Sequence, residues 1–122
     1  MSFIAGLQQF FQGGVFVGRL HMGTKKGIVA STTHTQTAAT QLTHSINFID
    51  TVAGANDGVK MPQCDEGRMV FVCNMGANTL TLYSLETTGV SFGSNAGSTG
   101  ITITAGASGL FLGRGDNWAE IS

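Results

Sequence analysis

The residues that could carry out chemistry are few in this sequence and lie far apart. His21, His34 and His44 have no acidic or cysteine residue close to them in the sequence. Zinc and catalytic sites need converging ligands, which usually show as short spacings. We therefore predict polar surface or interface positions for His34 and His44, and no metal site. The one exception would be a ring of symmetry-related histidines around a three-fold axis.

The acidic residues and the glycine-rich stretch also lack a pattern known from catalytic or ligand-binding sites. Asp57 precedes Gly58, a combination typical of turns, and Asp65 and Glu66 flank a turn where solvent would surround them. There is no Asp-x-Asp-x-Asp-Gly ladder for calcium, and residues 93–100 lack the lysine of a phosphate-binding loop. The sequence thus predicts no catalytic residue, no metal and no cofactor, and we expect a protein that is not an enzyme.

An Arg-Gly-Asp tripeptide occurs at Arg114-Gly115-Asp116 and has two interpretations. It could be a cell-adhesion ligand, or it could be the turn of a hairpin between two short strands. The turn needs only local chemistry, so we favour it.

The two cysteines are Cys64, in a loop, and Cys73, which alternates with other apolar residues of a strand. We expect Cys73 to be a buried free thiol. The sequence leaves undecided whether the two cysteines form a disulfide, since two cysteines alone say little about the redox compartment.

The composition indicates one domain whose surface lies largely against other protein. The chain has 122 residues, which fits a single core. Only 11% of residues are charged, against about 25% in ordinary soluble proteins, and charge normally keeps surfaces apart. We therefore expect copies of the chain to associate.

Charge and hydropathy also argue against two classes of partner. The net charge is −1, and Lys25 and Lys26 are the only adjacent basic residues, so nucleic-acid binding is not expected. No apolar run is long enough for a membrane-spanning helix. The apolar N-terminus lacks a positively charged region and a cleavage site, so no signal peptide is expected.

Short strands joined by Gly, Asn, Ser and Thr turns dominate the second half of the sequence, and this spacing is typical of a sandwich or a small barrel. The predicted fold is all-β, a single antiparallel β-sandwich or jelly-roll-like domain with a short N-terminal helical or extended arm. The Thr-rich tract from Ser31 to Gln41 is either a long loop or an exposed edge strand. We see no convincing internal repeat.

Alternation along the strands predicts which side chains face the core. Ile46 and Phe48 are predicted to point inward, and Ser45 and Asn47 outward. On the later strands the residues expected to be buried are Met69, Phe71, Cys73, Leu80, Leu82, Ile101 and Ile103.

Residues 1–14 form the predicted N-terminal arm, and residues 15–122 the β-domain. Five apolar residues of the arm recur at the spacing of one helix face. So short a helix is marginal alone and must dock, either on the core of its own domain or in a partner's groove. A membrane surface is disfavoured because the polar side has no Lys or Arg. The predicted partner-binding residues are Phe3, Ile4, Leu7, Phe10 and Phe11.

From about Ala38 to the C-terminus, roughly two-thirds of the chain resembles a small β-rich domain that recurs among structural proteins of tailed bacteriophages. The resemblance lies in turn and strand motifs, and it departs from the usual pattern where Tyr-Pro is replaced by Tyr83-Ser84. The motifs are Ala39-Thr-Gln-Leu-Thr43, Ile46-Asn-Phe-Ile49, Asp57-Gly-Val-Lys-Met-Pro62, Val70-Phe-Val-Cys-Asn-Met-Gly-Ala-Asn-Thr-Leu-Thr-Leu-Tyr83 and Asn117-Trp118.

This resemblance implies a virion component at the capsid surface. The expected role is a decoration (cement) protein that forms homo-oligomers, commonly trimers, binds the major capsid protein and stabilises the shell. The alternatives are a tail, neck or head-fibre protein and, more remotely, a carbohydrate-binding module in which Trp118 and Tyr83 stack on a sugar.

Overall fold

The computed structural model describes residues 22–121, so the predicted arm and the first residues of the predicted β-domain lie outside the described part. Residues 22–121 contain no helix and are 47% strand. The strands are β1 Thr24–Val29, β2 Thr40–Gln41, β3 Ile46–Thr51, β4 Asp57–Lys60, β5 Met69–Asn74, β6 Leu80–Tyr83, β7 Ser91–Phe92, β8 Asn95–Ala96, β9 Ile101–Ile103, β10 Ser108–Gly113 and β11 Asn117–Ile121.

The strands form two sheets that the chain visits alternately. The larger sheet has the order β1-β3-β5-β10-β11-β7-β8, and the smaller has the order β2-β4-β6-β9. The pairs β1–β2, β3–β4 and β5–β6 are successive coils, each placing one strand in each sheet beside the previous coil. Strand β9 then pairs with β6 and β10 pairs with β5, and both of these pairs are antiparallel. The arrangement is like a β-solenoid of about four turns.

The prediction of an antiparallel sandwich or jelly roll is therefore wrong. Stacked coils run in the same direction, so β1–β3, β3–β5, β2–β4 and β4–β6 are all parallel. The repeat was not recognised because the coils differ in length. Thr24 pairs with Ile46, and Ile46 pairs with Phe71, so insertions in the loops hide the periodicity.

The core lies between the two sheets and is made mostly of aliphatic side chains, with three aromatic rings, Phe92, Phe111 and Trp118. Leu80, Leu82 and Ile103 are buried as predicted, and Ile101 is half-buried against the same cluster. The largest fully buried apolar side chains are Trp118, Phe111, Leu42, Ile49, Met61, Leu80, Leu82, Val52, Val59, Val70 and Val72.

The predicted inward side of β3 and β5 is wrong by one residue. Asn47 and Ile49 point inward on β3, and Ile46 and Phe48 are half-buried on the other side. On β5 the inward residues are Val70, Val72 and Asn74, whereas Met69 is 40% exposed and Phe71 and Cys73 are half-buried. Apolar residues occupy both sides of these strands, so alternation alone could not choose between them.

The buried side-chain amide of Asn74 fixes the boundary between two coils. Asn74 at the end of β5 donates to the carbonyls of Asn78 and Ile103, both at 2.9 Å, and accepts from Gly76 N–H at 3.0 Å. A Cβ on Gly76 would lie 2.7 Å from Val52 N. Only glycine therefore allows this turn to pack against the preceding coil.

The Thr-rich tract is mostly a loop. It pairs with β4 through an isolated bridge at Ser31 and returns to the smaller sheet as β2. Gln36 holds the middle of the loop by donating to the Ser84 and Glu86 carbonyls, each at 2.7 Å.

Candidate functional site

A buried carboxylate and a histidine meet where the Thr-rich loop crosses the smaller sheet. Asp57 begins β4 and is 1% exposed. His34 Nε2 lies 3.0 Å from Asp57 Oδ1, and the Gly54 N–H donates to Asp57 Oδ2 at 3.0 Å. The hydrogen bond from Gly54 lowers the pKa of Asp57, and His34 lowers it further, against the opposing effect of burial.

Although no acidic residue is close to His34 in the sequence, the folded chain gives it an acidic partner, Asp57. The partner lies 23 residues further along the chain, so no local spacing could reveal it. The Asp57 carboxylate accepts from the turn before β4 and from the loop that covers it. The pair therefore clamps the loop to the stack, and the His34 side chain remains half-exposed.

The remaining predicted ligand candidates are dispersed over the structure. His44 Nδ1 lies 2.8 Å from Thr43 Oγ1, and Asp65 and Glu66 are exposed in the loop before β5. Asp50 accepts from the Gly27 N–H. Between residues 22 and 121, no three His, Cys, Asp or Glu side chains come together as metal ligands would.

A second polar cluster joins two loops and the first residue of β11 around Cys64. Glu86 Oε2 accepts from the Cys64 N–H at 3.0 Å, and the Cys64 Sγ donates to the Asn117 carbonyl at 3.4 Å. Glu86 Oε1 is buried without a hydrogen-bond partner in the described part of the chain. Both cysteines are free, which settles the question of a disulfide between them. Cys64 is buried and Cys73 half-buried, so the fully buried thiol is not the one that was predicted.

The Arg-Gly-Asp tripeptide is the predicted hairpin turn. It joins the antiparallel strands β10 and β11, and the Arg114 N–H donates to the Asn117 carbonyl at 2.9 Å. Gly115 has a φ of +100°, a conformation that favours glycine. Arg114 Nε and Asp116 Oδ1 lie 3.3 Å apart across the turn.

A cleft of about 310 Å³ opens between β11, β7 and β9. Phe92 and Phe111 form part of its lining and pack edge to face, with ring centroids 5.9 Å apart. Trp118 also lines the cleft, and its Nε1 is buried with no partner among the described atoms. Trp118 is 1% exposed and Tyr83 7%, so neither ring presents an open face on which a sugar could stack.

Two edge strands, one in each sheet, differ in how they are protected. Strand β1 carries the exposed Lys25 and Lys26, and its pairing with β3 has register shifts. Such charges and bulges prevent edge strands from pairing with other chains. Strand β9 is the last strand of the smaller sheet and consists of Ile101, Thr102 and Ile103, without charge or proline.

The other large surface is the side of the seven-stranded sheet that faces away from the core, here called the outer face. Its members come from β3, β5, β10 and β11 and are apolar and partly exposed. They are Ile46, Phe48, Met69, Phe71, Cys73, Leu110, Leu112, Ala119 and Ile121. Five of these residues are ones that the alternation pattern predicted to face the core, so the pattern identifies the apolar side of the strands but not the direction in which that side points.

The predicted partner-binding residues Phe3, Ile4, Leu7, Phe10 and Phe11 lie outside the described residues, as does His21. Among the described residues, no helix has the length and apolar character needed to cross a membrane. Comparison with protein families, curated proteins and solved structures finds no match to this chain.

Proposed function

We propose that this protein is a non-enzymatic structural component of a tailed-bacteriophage virion. It acts as a decoration protein that forms homo-oligomers, most simply trimers, binds the major capsid protein and stabilises the capsid shell. Two things support the proposal: the motif resemblance from about Ala38 to the C-terminus, and the uncharged edge of β9.

The β9 edge suits strand addition by another protein chain. It borders the smaller sheet, and Thr102 on it is exposed. Strand addition gains main-chain hydrogen bonds, and alternate side chains then supply specificity. The β1 edge of the larger sheet is protected by its lysines, whereas the β9 edge of the smaller sheet has no such charge and is open to association.

The composition fits the same role. With 11% of residues charged, little charge has to be desolvated when surfaces meet. A stable interface buries on the order of 1,600 Å² and needs no chemistry beyond packing and hydrogen bonds. A cement protein acts by stabilising contacts between neighbouring subunits, so it has to supply binding free energy and needs no catalytic residues.

Electron microscopy of the assembled particle tests the virion role. Density for this chain distributed over the icosahedral shell would support decoration. Density at one vertex would overturn decoration in favour of a neck, tail or fibre protein, and a particle without the chain would overturn the virion role altogether.

A charge substitution tests the β9 edge in solution. Thr102→Lys puts on β9 the kind of charge that β1 already carries. Thr87→Lys makes the same change in an exposed loop away from the edge. Analytical ultracentrifugation should show Thr102→Lys dissociating at least tenfold more readily than wild type, and Thr87→Lys unchanged. If all three proteins oligomerised equally, the β9 edge would not be the surface through which copies associate.

A further inference from the structure

The outer face is as apolar as the inside of the sheet. One continuous row crosses four strands, with Ile46 beside Phe71, Phe71 beside Leu110, and Leu110 beside Ile121. This central row has a row on each side: Met69, Leu112 and Ala119 form one, and Phe48 and Cys73 form the other. In these rows, Met69, Leu112 and Ile121 are 40%, 36% and 47% exposed.

Polar residues bound this surface without interrupting it. Asp50 ends the outward side of β3, Ser108 begins that of β10, and Asn117 begins that of β11. Three strand spacings make the face about 14 Å wide, and the strands make it about 17 Å long. Contiguous exposed apolar patches larger than a few hundred Å² mark interaction sites on folded proteins, and this face approaches that size.

We propose that residues 3–11 of the same chain dock on the outer face and cover it. The five residues of the apolar stripe, Phe3, Ile4, Leu7, Phe10 and Phe11, would supply the contacting side chains. As a helix, this segment would be about 14 Å long and about 10 Å wide, which is the size needed to lie along the central row and contact the rows on either side. This proposal is independent of the virion role.

The point where the chain enters the described part favours this occupant. The Gly23 carbonyl accepts from the Ile46 N–H at 2.9 Å, so the chain arrives beside the first residue of the central row. Residues 12–21 can span up to about 33 Å, more than twice the width of the face. A segment tethered this closely has an effective concentration in the millimolar range, which favours its own sheet over a separate chain.

A native thiol reports on this contact. Cys73 lies on the outer face, whereas Cys64 is buried in the loop cluster and serves as an internal control for intact folding. In the full-length protein, maleimide should label Cys73 slowly. The double variant Phe10→Ser/Phe11→Ser should label it at least tenfold faster while Cys64 stays protected. Gln8→Ser/Gln9→Ser, on the polar side of the segment, should leave the Cys73 rate unchanged.

Rapid labelling of Cys73 in the wild-type protein would overturn the proposal, as would equal rates in all three proteins. Because the serine variant could lose its fold and expose both thiols, cross-linking provides a second test. In Leu7→Cys, prolonged reaction with a short bis-maleimide should link residue 7 to Cys73 within one chain, giving a monomer that is heavier by one linker and has lost both of these thiols. Only dimeric products, or none, would overturn docking on the same chain, and the dimers would identify exchange between copies.

Discussion

Replacing Phe111 with alanine tests the packing between the two sheets. Phe111 is fully buried on β10, and its ring packs edge to face on Phe92. A buried Phe→Ala change costs about 3–5 kcal/mol, and loss of the aromatic pair adds about 0.5–1.5 kcal/mol. The expected loss of about 4–6 kcal/mol is a large part of the about 5–15 kcal/mol that stabilises a typical domain.

Urea unfolding followed by the fluorescence of Trp118 measures this loss, because Trp118 is the only tryptophan and is buried on the neighbouring strand β11. At about 2 kcal/mol per molar urea, the midpoint should fall by roughly 2–3 M. Leu85→Ala, in the loop after β6, is the control and should cost less than about 1 kcal/mol. If Phe111→Ala unfolded at the same midpoint as Leu85→Ala, the inward side of β10 would be wrongly assigned.

Two further substitutions probe the coil boundaries. Gly76→Ala should destabilise by about 1–3 kcal/mol, because its Cβ would lie 2.7 Å from Val52 N; a thermal midpoint equal to that of Ala77→Ser would contradict the tight packing of this turn. Asp57→Asn should cost about 1–3 kcal/mol at pH 7 through loss of the charged acceptor. Folding lowers the pKa of Asp57 below 3.8, so this stabilisation is present above that pH and disappears as the pH falls through the folded value. The difference between wild type and variant should therefore shrink in acid, and a gap that widened below pH 3.8 would refute the assignment.

Local patterns in the sequence predicted most strands but not their arrangement. Leu80 to Tyr83, Leu110 to Gly113 and Trp118 to Ile121 carry strong alternation or compact apolar runs, and the Arg114-Gly115-Asp116 turn is determined by its own residues. Whether neighbouring strands run parallel depends on where each loop returns the chain. Loop lengths and residues such as Asn74 and Gly76 control that return through contacts distant in sequence.

The prediction of which side of β5 faces the core was wrong for a reason that lies in one polar residue. Met69, Phe71 and Cys73 have the apolar character of a core, whereas the truly buried side includes Asn74. Only the hydrogen bonds that satisfy this amide in the folded chain make its burial favourable, and no spacing rule anticipates them. Similarly, only the folded structure brings His34 next to the carboxylate of Asp57, because the two residues are 23 positions apart in the sequence.

The stacking of coils has a consequence for how the protein opens. Strands β3 and β4 each lie between two neighbours, whereas β1 and β2 each have one neighbour among the described residues. In such arrays the free energy is close to a sum of terms for each repeat and its contacts with the next. Amide protons in β3 and β4 should therefore exchange with solvent only when several coils separate together, and those in β2 when one outer coil frays. The protein would then behave as a short row of cooperative units, with its slowest exchange in the middle of the row.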